Sequence, residues 1–100
     1  MRAQMSFADF LKSRADPAPP AGLAQPLQAL WHEARGQWEE AHALAQAAGS
    51  VEGAWVHAYL HRKEGDESNA AYWYARAGHP VATGALPDEW ERIARTLLSR

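Results

Sequence analysis

The sequence predicts an all-α domain, and three observations lead to that fold class. Apolar residues recur at intervals of three and four, which is the spacing of one face of a helix. Glycine and proline concentrate between these periodic segments. Alanine supplies almost half of the hydrophobic fraction of 47%, and β-branched residues, which favour strands, are few. We therefore expect closely packed helices with the ten aromatic rings between them and no sheet.

Composition excludes several classes of function. A net charge of −2 with scattered basic residues argues against a nucleic-acid surface. The chain has no cysteine, so disulfides and thiolate chemistry are not available, and we expect a cytoplasmic protein. No apolar run approaches the ~18 residues of a membrane span, and the start of the sequence lacks a signal-peptide pattern.

The first part of the chain, residues 1–22, is predicted to be a short helix followed by a linker. Residues 1–5 are expected to be frayed, and Ser6 to Asp9 form a capping box. The proline-rich segment 16–22 is expected to stay extended. The helix either docks on the rest of the domain or forms a detachable arm, and its two phenylalanines favour docking.

Residues 23–100 are predicted to form the main helical part of this single domain. Turn and capping signals divide the segment into two antiparallel helix pairs and a last helix, which closes the open end. The expected helices run from Leu23 or Pro26 to Arg35, from Gln37 to Ala48, from Ser50 to Glu64, from Asp66 to Gly78, and onward from Pro87.

The two helix pairs are also related in sequence. A shift of 29 residues places Gly36 on Gly65 and Gly49 on Gly78, and also aligns His32 with His61. The second helix of each pair resembles that of a tetratricopeptide repeat; the first unit matches at the positions Gly36, Trp38, Ala41, Ala45 and Ala48, and the second at Gly65, Ala70, Tyr74 and Ala77. Residues 69–78 are similar to the end of a Sel-like repeat. Glu67 departs from the family pattern, which has an aromatic residue there.

The resemblance, over about residues 25–80, implies a short right-handed stack that binds a partner protein or peptide without catalysis. First helices line the groove in that family, so Trp55, Tyr59 and Arg62 are the expected contacts, although the first two also suit a core. Tyr72 either packs beneath the following loop and last helix or adds to a binding face. With two units, a homodimer is a further possibility.

A metal site is the alternative suggested by spacing. His57 and His61 lie one helical turn apart, with Glu64 a further turn along, which gives three ligands on one face. We expect packing histidines at these positions, with a metal or proton-transfer site as the alternative. The rivals of the interaction module are a small metal- or histidine-dependent enzyme that uses His57, His61 and Glu64, and a small-ligand pocket among the tryptophans. His42 and His79 have no support from spacing. No catalytic grouping or phosphate loop stands out, and no cofactor is expected.

Overall fold

The computed structural model describes residues 5–100, and this part of the chain contains α-helices and no strand. The all-α prediction is therefore confirmed for the described residues, whereas the expectation for residues 1–4 lies outside them. None of these helices has the length and apolarity to cross a membrane. The helices are α1 Phe7–Ser13, α2 Gln25–Ala34, α3 Trp38–Ala48, α4 Val51–Lys63, α5 Glu67–Ala77 and α6 Leu86–Leu98.

Side-chain caps fix three of the helix starts. The hydroxyl of Ser6 accepts a hydrogen bond from the backbone N–H of Asp9, and Ser50 accepts one from Gly53. Asp66 caps α5 in the same way. These bonds satisfy backbone N–H groups that have no partner within a helix, so the predicted boundaries hold to within a few residues.

The two helix pairs close with equivalent turns. Gly36 and Gly65 have φ angles of +76° and +89°, which an L side chain rarely adopts. The residue after each glycine donates its backbone N–H to a histidine carbonyl, over 3.0 Å to His32 and 2.9 Å to His61. This bond ends the first helix of each pair and reverses the chain.

Helix α4 occupies the centre of the domain. Every residue from position 53 to 61 is buried. Helices α5, α3, α2 and α6 all pack against it. Because no face of α4 is left for solvent over this stretch, each of its polar side chains must find a partner inside the fold.

A glycine lets α3 and α4 approach closely. A Cβ atom at Gly53 would lie 2.8 Å from the carbonyl oxygen of Ala45 and 2.8 Å from the Cβ of Ala48. Both contacts are too short for real atoms, so the helix crossing requires glycine at this position. On the same face of α3, Ala41 is fully buried.

Helix α1 docks on the domain. Phe10 is fully buried, and its ring stacks on Trp90 of α6 with centroids 5.7 Å apart. The indole N–H of Trp31 donates a 3.0 Å hydrogen bond to the carbonyl of Ser13, at the end of α1. Apolar burial and this buried hydrogen bond explain why docking is observed rather than a detachable arm.

A buried carboxylate attaches α6 to α4 and α5. Glu89 is 1% exposed and accepts hydrogen bonds from Arg62, at 2.7 Å, and from the hydroxyl of Tyr74. Burial, followed by the bond to Glu89, raises the pKa of Tyr74 well above its usual value, so the hydroxyl remains a donor. Arg62 also donates to the carbonyl of Gly84 in the preceding loop.

We predict that Glu89→Ala lowers the free energy of unfolding by about 3 kcal/mol, because it leaves Arg62 and Tyr74 without their buried acceptor. Urea unfolding followed by circular dichroism measures the change. Glu91→Ala is the matched control on the same helix: Glu91 forms an exposed pair with Arg95, and its removal should cost less than about 0.5 kcal/mol. Equal losses in the two variants would contradict a special role for Glu89.

Candidate functional site

The three residues predicted to line a groove are engaged inside the fold. Trp55 and Tyr59 belong to the hydrophobic core, with 6% and 2% of their surface exposed. The ring of Trp55 stacks on His79 with centroids 3.9 Å apart. Arg62 is held by Glu89 of α6. In this fold, none of these three side chains is free to contact a partner protein.

Tyr72 is the exposed member of the predicted binding set. Its side chain is 54% exposed, so the alternative in which it packs beneath the loop and last helix is wrong. The guanidinium of Arg76 lies 5.8 Å from the centroid of the Tyr72 ring and 5.5 Å from that of Trp73. These residues form a cation–aromatic group on the outer face of α5.

Three histidines from two helices meet where α3 and α4 face each other. His57 and His61 are one turn apart on α4 and buried, whereas His42 comes from α3 and is half-buried. The Nε2 atoms of His42 and His57 are 2.9 Å apart. One potential ligand nitrogen from each ring lies within 4.8 Å of the other two. We call these residues the histidine cluster.

Tryptophan rings stack on the faces of two histidines of the cluster. Trp73 of α5 stacks on His57 with centroids 3.9 Å apart, and Trp38 stacks on His42 at 4.7 Å. His57 and His61 are themselves stacked at 4.9 Å. Because stacking uses the ring faces, the edges that carry the nitrogen atoms remain free to meet.

A carboxylate sets the tautomer of His61. Its Nδ1 lies 2.6 Å from Oε1 of Glu64, and an ionised carboxylate only accepts hydrogen bonds. Nδ1 therefore carries a proton, and in the neutral ring this leaves the lone pair on Nε2. The amide nitrogen of Asn69 lies 3.4 Å from that Nε2 atom, consistent with a weak donor. Glu64 thus contacts the Nδ1 atom of the His61 ring, whereas Nε2 lies on the other side of the ring.

His57 carries a buried nitrogen without a partner. Among the described residues, its Nδ1 atom makes no hydrogen bond. An unpartnered buried polar atom costs about 1–3 kcal/mol. Among the described residues, the nitrogen of His57 with a hydrogen-bond partner is Nε2, which faces His42.

Two rings of the cluster, those of His42 and His57, favour the neutral form. Burial, followed by the charges of His42 and His61, lowers the pKa of His57 from 6.5 to about 4. Burial and the proximity of His61 also lower the pKa of His42, while Glu64 acts in the opposite direction. At neutral pH both rings offer lone pairs rather than positive charge.

Spacing along one helix could not include His42 in this site. His42 lies seven residues before Gly49, and His57 lies seven after Ser50. Residues equally distant from the turn of an antiparallel helix pair lie opposite each other, so this symmetry was an available signal. Reasoning from contacts along one helix missed it, and the metal-site alternative included Glu64 as the third ligand instead.

Comparison of the chain with protein-family models, with curated proteins and with solved structures gives no match.

We predict that the metal-free protein loses stability as pH falls from 6.5 towards 4. The folded pKa of His57 is below its unfolded value, so the unfolded chain binds more protons in this window and is favoured by acid. The loss should be on the order of 2 kcal/mol, measured by urea unfolding at several pH values in the presence of a chelator.

His57→Phe is the comparison variant for this measurement. It keeps a ring against Trp73 and removes the titrating group, so its stability should fall less over the same window than that of the wild type. The groups that face His57 are His42 from α3 and His61 from α4. Parallel pH profiles in the two proteins would rule out His57 as the cause.

Proposed function

We propose that this protein binds a divalent transition-metal ion through His42, His57 and His61. One observation carries the proposal: Nε2 atoms from two helices lie 2.9 Å apart, and a third imidazole nitrogen lies within 4.8 Å of both. The function that the geometry supports best is that of a small metal-binding domain.

The ligand set selects the class of ion. Imidazole suits Zn²⁺, Cu²⁺, Ni²⁺ and Fe²⁺, whereas Ca²⁺ and Mg²⁺ require oxygen ligands. His57 and His61 stand at i and i+4, the spacing with which two histidines of one helix hold zinc. His42 adds a third ligand from α3, so the ion would join two helices.

The separation of His42 and His57 is close to that of two zinc ligands, whereas the three ligand nitrogens together lie within 4.8 Å of one another and must close around an ion. Zinc–nitrogen bonds of about 2.0–2.1 Å with tetrahedral angles place two ligand nitrogens about 3.3 Å apart. The observed 2.9 Å between His42 and His57 is slightly shorter, and it is the separation of a hydrogen-bonded pair. A displacement of a few tenths of an ångström at the half-buried His42 ring, with loss of the proton shared between the two Nε2 atoms from that position, opens the pair to an ion.

Glu64 has a different role from the one that spacing suggested. Its carboxylate bonds to Nδ1 of His61, so it orients that ring and increases the basicity of Nε2. Carboxylates in this position are common partners of metal-binding histidines. In this proposal Glu64 is therefore a positioning residue, and His42 replaces it as the third ligand.

We expect Zn²⁺ to raise the melting temperature by about 10 °C when the free ion is near 100 times its Kd, because it binds the folded chain alone. Differential scanning fluorimetry measures the shift. Co²⁺ should give visible absorption bands of tetrahedral intensity. His42→Ala should weaken binding by about 100-fold or more, since it removes one of three ligands.

His32→Ala is the matched control. His32 lies at the end of α2 and bonds to Gln37, outside the cluster. Its loss should leave the Zn²⁺ response unchanged. His42 is half-buried, so its alanine variant should stay folded, and circular dichroism checks this. The metal-binding proposal would be refuted if Zn²⁺ left the melting temperature of the wild type unchanged and Co²⁺ gave no tetrahedral absorption bands. Equal losses of metal binding in His42→Ala and His32→Ala would also refute it.

A partner-binding module with a stack similar to tetratricopeptide repeats is the second candidate. It is favoured by the exposed group of Tyr72 and Arg76, because tyrosine and arginine dominate the energetics of many interfaces. The binding face would then be the outer side of α5 instead of the first helices of the pairs.

The double variant Tyr72→Ala, Arg76→Ala tests this second candidate. Both side chains are exposed, so the fold should survive and a bound protein or peptide should be lost in a pull-down. Glu39→Ala, Glu40→Ala at the exposed start of α3 is the control for a general surface effect. If the wild type, the double variant and the control capture the same proteins, the outer side of α5 is excluded as the binding face.

A further inference from the structure

A cavity between four helices shares no residue with the histidine cluster. Helices α1, α2, α4 and α6 each contribute to its wall, and its volume is about 330 Å³. Pockets for small molecules begin at roughly 300 Å³, so a molecule bound in this cavity must be small. Part of the wall is apolar and consists of Phe7, Leu11 and Trp90.

Two buried polar groups in the wall have hydrogen-bonding capacity that the protein leaves unused. Oε2 of Glu33 pairs with Lys63, whereas no described residue bonds to Oε1. The hydroxyl of Tyr59 likewise makes no hydrogen bond within residues 5–100. Neither atom is sealed inside the protein, since the fully buried atom without a partner is Nδ1 of His57. Because Glu33 and Tyr59 both line the cavity, this capacity is available to a molecule inside it.

The carboxylate and the hydroxyl together require a hydrogen-bond donor. An ionised carboxylate such as that of Glu33 only accepts. Burial, followed by the charges of Glu33 and Glu89, raises the pKa of Tyr59, so its hydroxyl stays protonated and its oxygen can accept as well as donate. An ammonium group supplies three N–H donors together with the charge that a buried carboxylate attracts. It is therefore the group that suits this part of the wall.

The other charges of the wall favour a carboxylate on the same molecule. Two bases and two acids line the cavity, so their charges sum to zero: Arg14, Lys63, Glu33 and Glu91. Lys63 and Glu91 already form ion pairs. Among the described residues, the side chain of Arg14 makes one hydrogen bond, from Nε to a carbonyl of its own helix. The two terminal nitrogens of this guanidinium remain for a carboxylate, whose geometry they match.

We propose that this cavity binds a free α-amino acid with an apolar side chain. The ammonium group donates to Glu33 and Tyr59, the carboxylate accepts from Arg14, and the side chain packs against Phe7 and Trp90. A simple amine leaves Arg14 without its acceptor, and a simple carboxylic acid leaves Glu33 without its donor. A molecule with one charge of each sign satisfies both.

Isothermal titration calorimetry of the full chain tests the proposal with three matched probes. L-leucine carries both charged groups, 3-methylbutylamine lacks the carboxylate, and 4-methylpentanoate lacks the ammonium group. We expect saturable binding of L-leucine and affinities lower by about tenfold or more for the other two probes. A chelator in the buffer keeps the result independent of the metal site. No saturable binding of L-leucine, or equal affinities for the three probes, would overturn the proposal.

Two variants assign the contacts within the cavity. Tyr59→Phe keeps the ring in the core and removes a hydroxyl that has no partner within residues 5–100, so the variant should stay folded and bind L-leucine about tenfold more weakly. Arg14→Gln should bind L-leucine no better than the wild type binds 3-methylbutylamine. Lys12→Gln, exposed on the same helix, is the control and should bind L-leucine like the wild type.

Circular dichroism checks that each variant is folded. An unchanged affinity for L-leucine in folded Tyr59→Phe would overturn the role of the hydroxyl. An equal loss in Arg14→Gln and Lys12→Gln would overturn the role of the guanidinium.

Discussion

Complete burial of the central helix is the constraint on which the rest of the structure depends. From position 53 to 61, α4 has no exposed residue. A helix in this situation cannot place a polar side chain towards water, so its neighbours must supply partners. His57 therefore faces His42 of α3, and His61 bonds to Glu64.

The alanine content of the chain explains how imidazoles on separate helices can touch. Alanine buries little area, but it allows helix axes to approach closely. At the α3–α4 crossing, Ala41 and Ala45 are buried and Gly53 leaves no room for a Cβ atom. A larger residue at any of these positions would separate the helices. The small side chains thus set the distance across which His42 reaches His57.

Local features of the fold were predictable from sequence, and contacts distant in sequence were not. Capping residues such as Ser50 and Asp66 define helix starts through neighbours three residues away, so one segment of sequence contains the whole signal. The bond between Arg62 and Glu89 joins residues in different helices, and no spacing rule connects them. The same holds for His42, whose place in the site depends on how α3 crosses α4. Sequence therefore located two of the three histidines, those that share a helix.

The position of α6 explains why Arg62, one of the residues predicted to line a groove, is engaged inside the fold. Helices α2 and α4 are the two helices that the sequence analysis expected to line an open groove. Helix α6 packs on both of them, with Trp90 donating a 3.1 Å hydrogen bond to the carbonyl of Leu30 and Glu89 binding Arg62. A domain with only two helix pairs has little other apolar surface with which to bury its last helix, so that helix covers this face. The junction of α3, α4 and α5 has no such covering helix among the described residues. The half-buried side chains of His42 and Asn69 lie there, so this end of the histidine cluster is partly open to solvent.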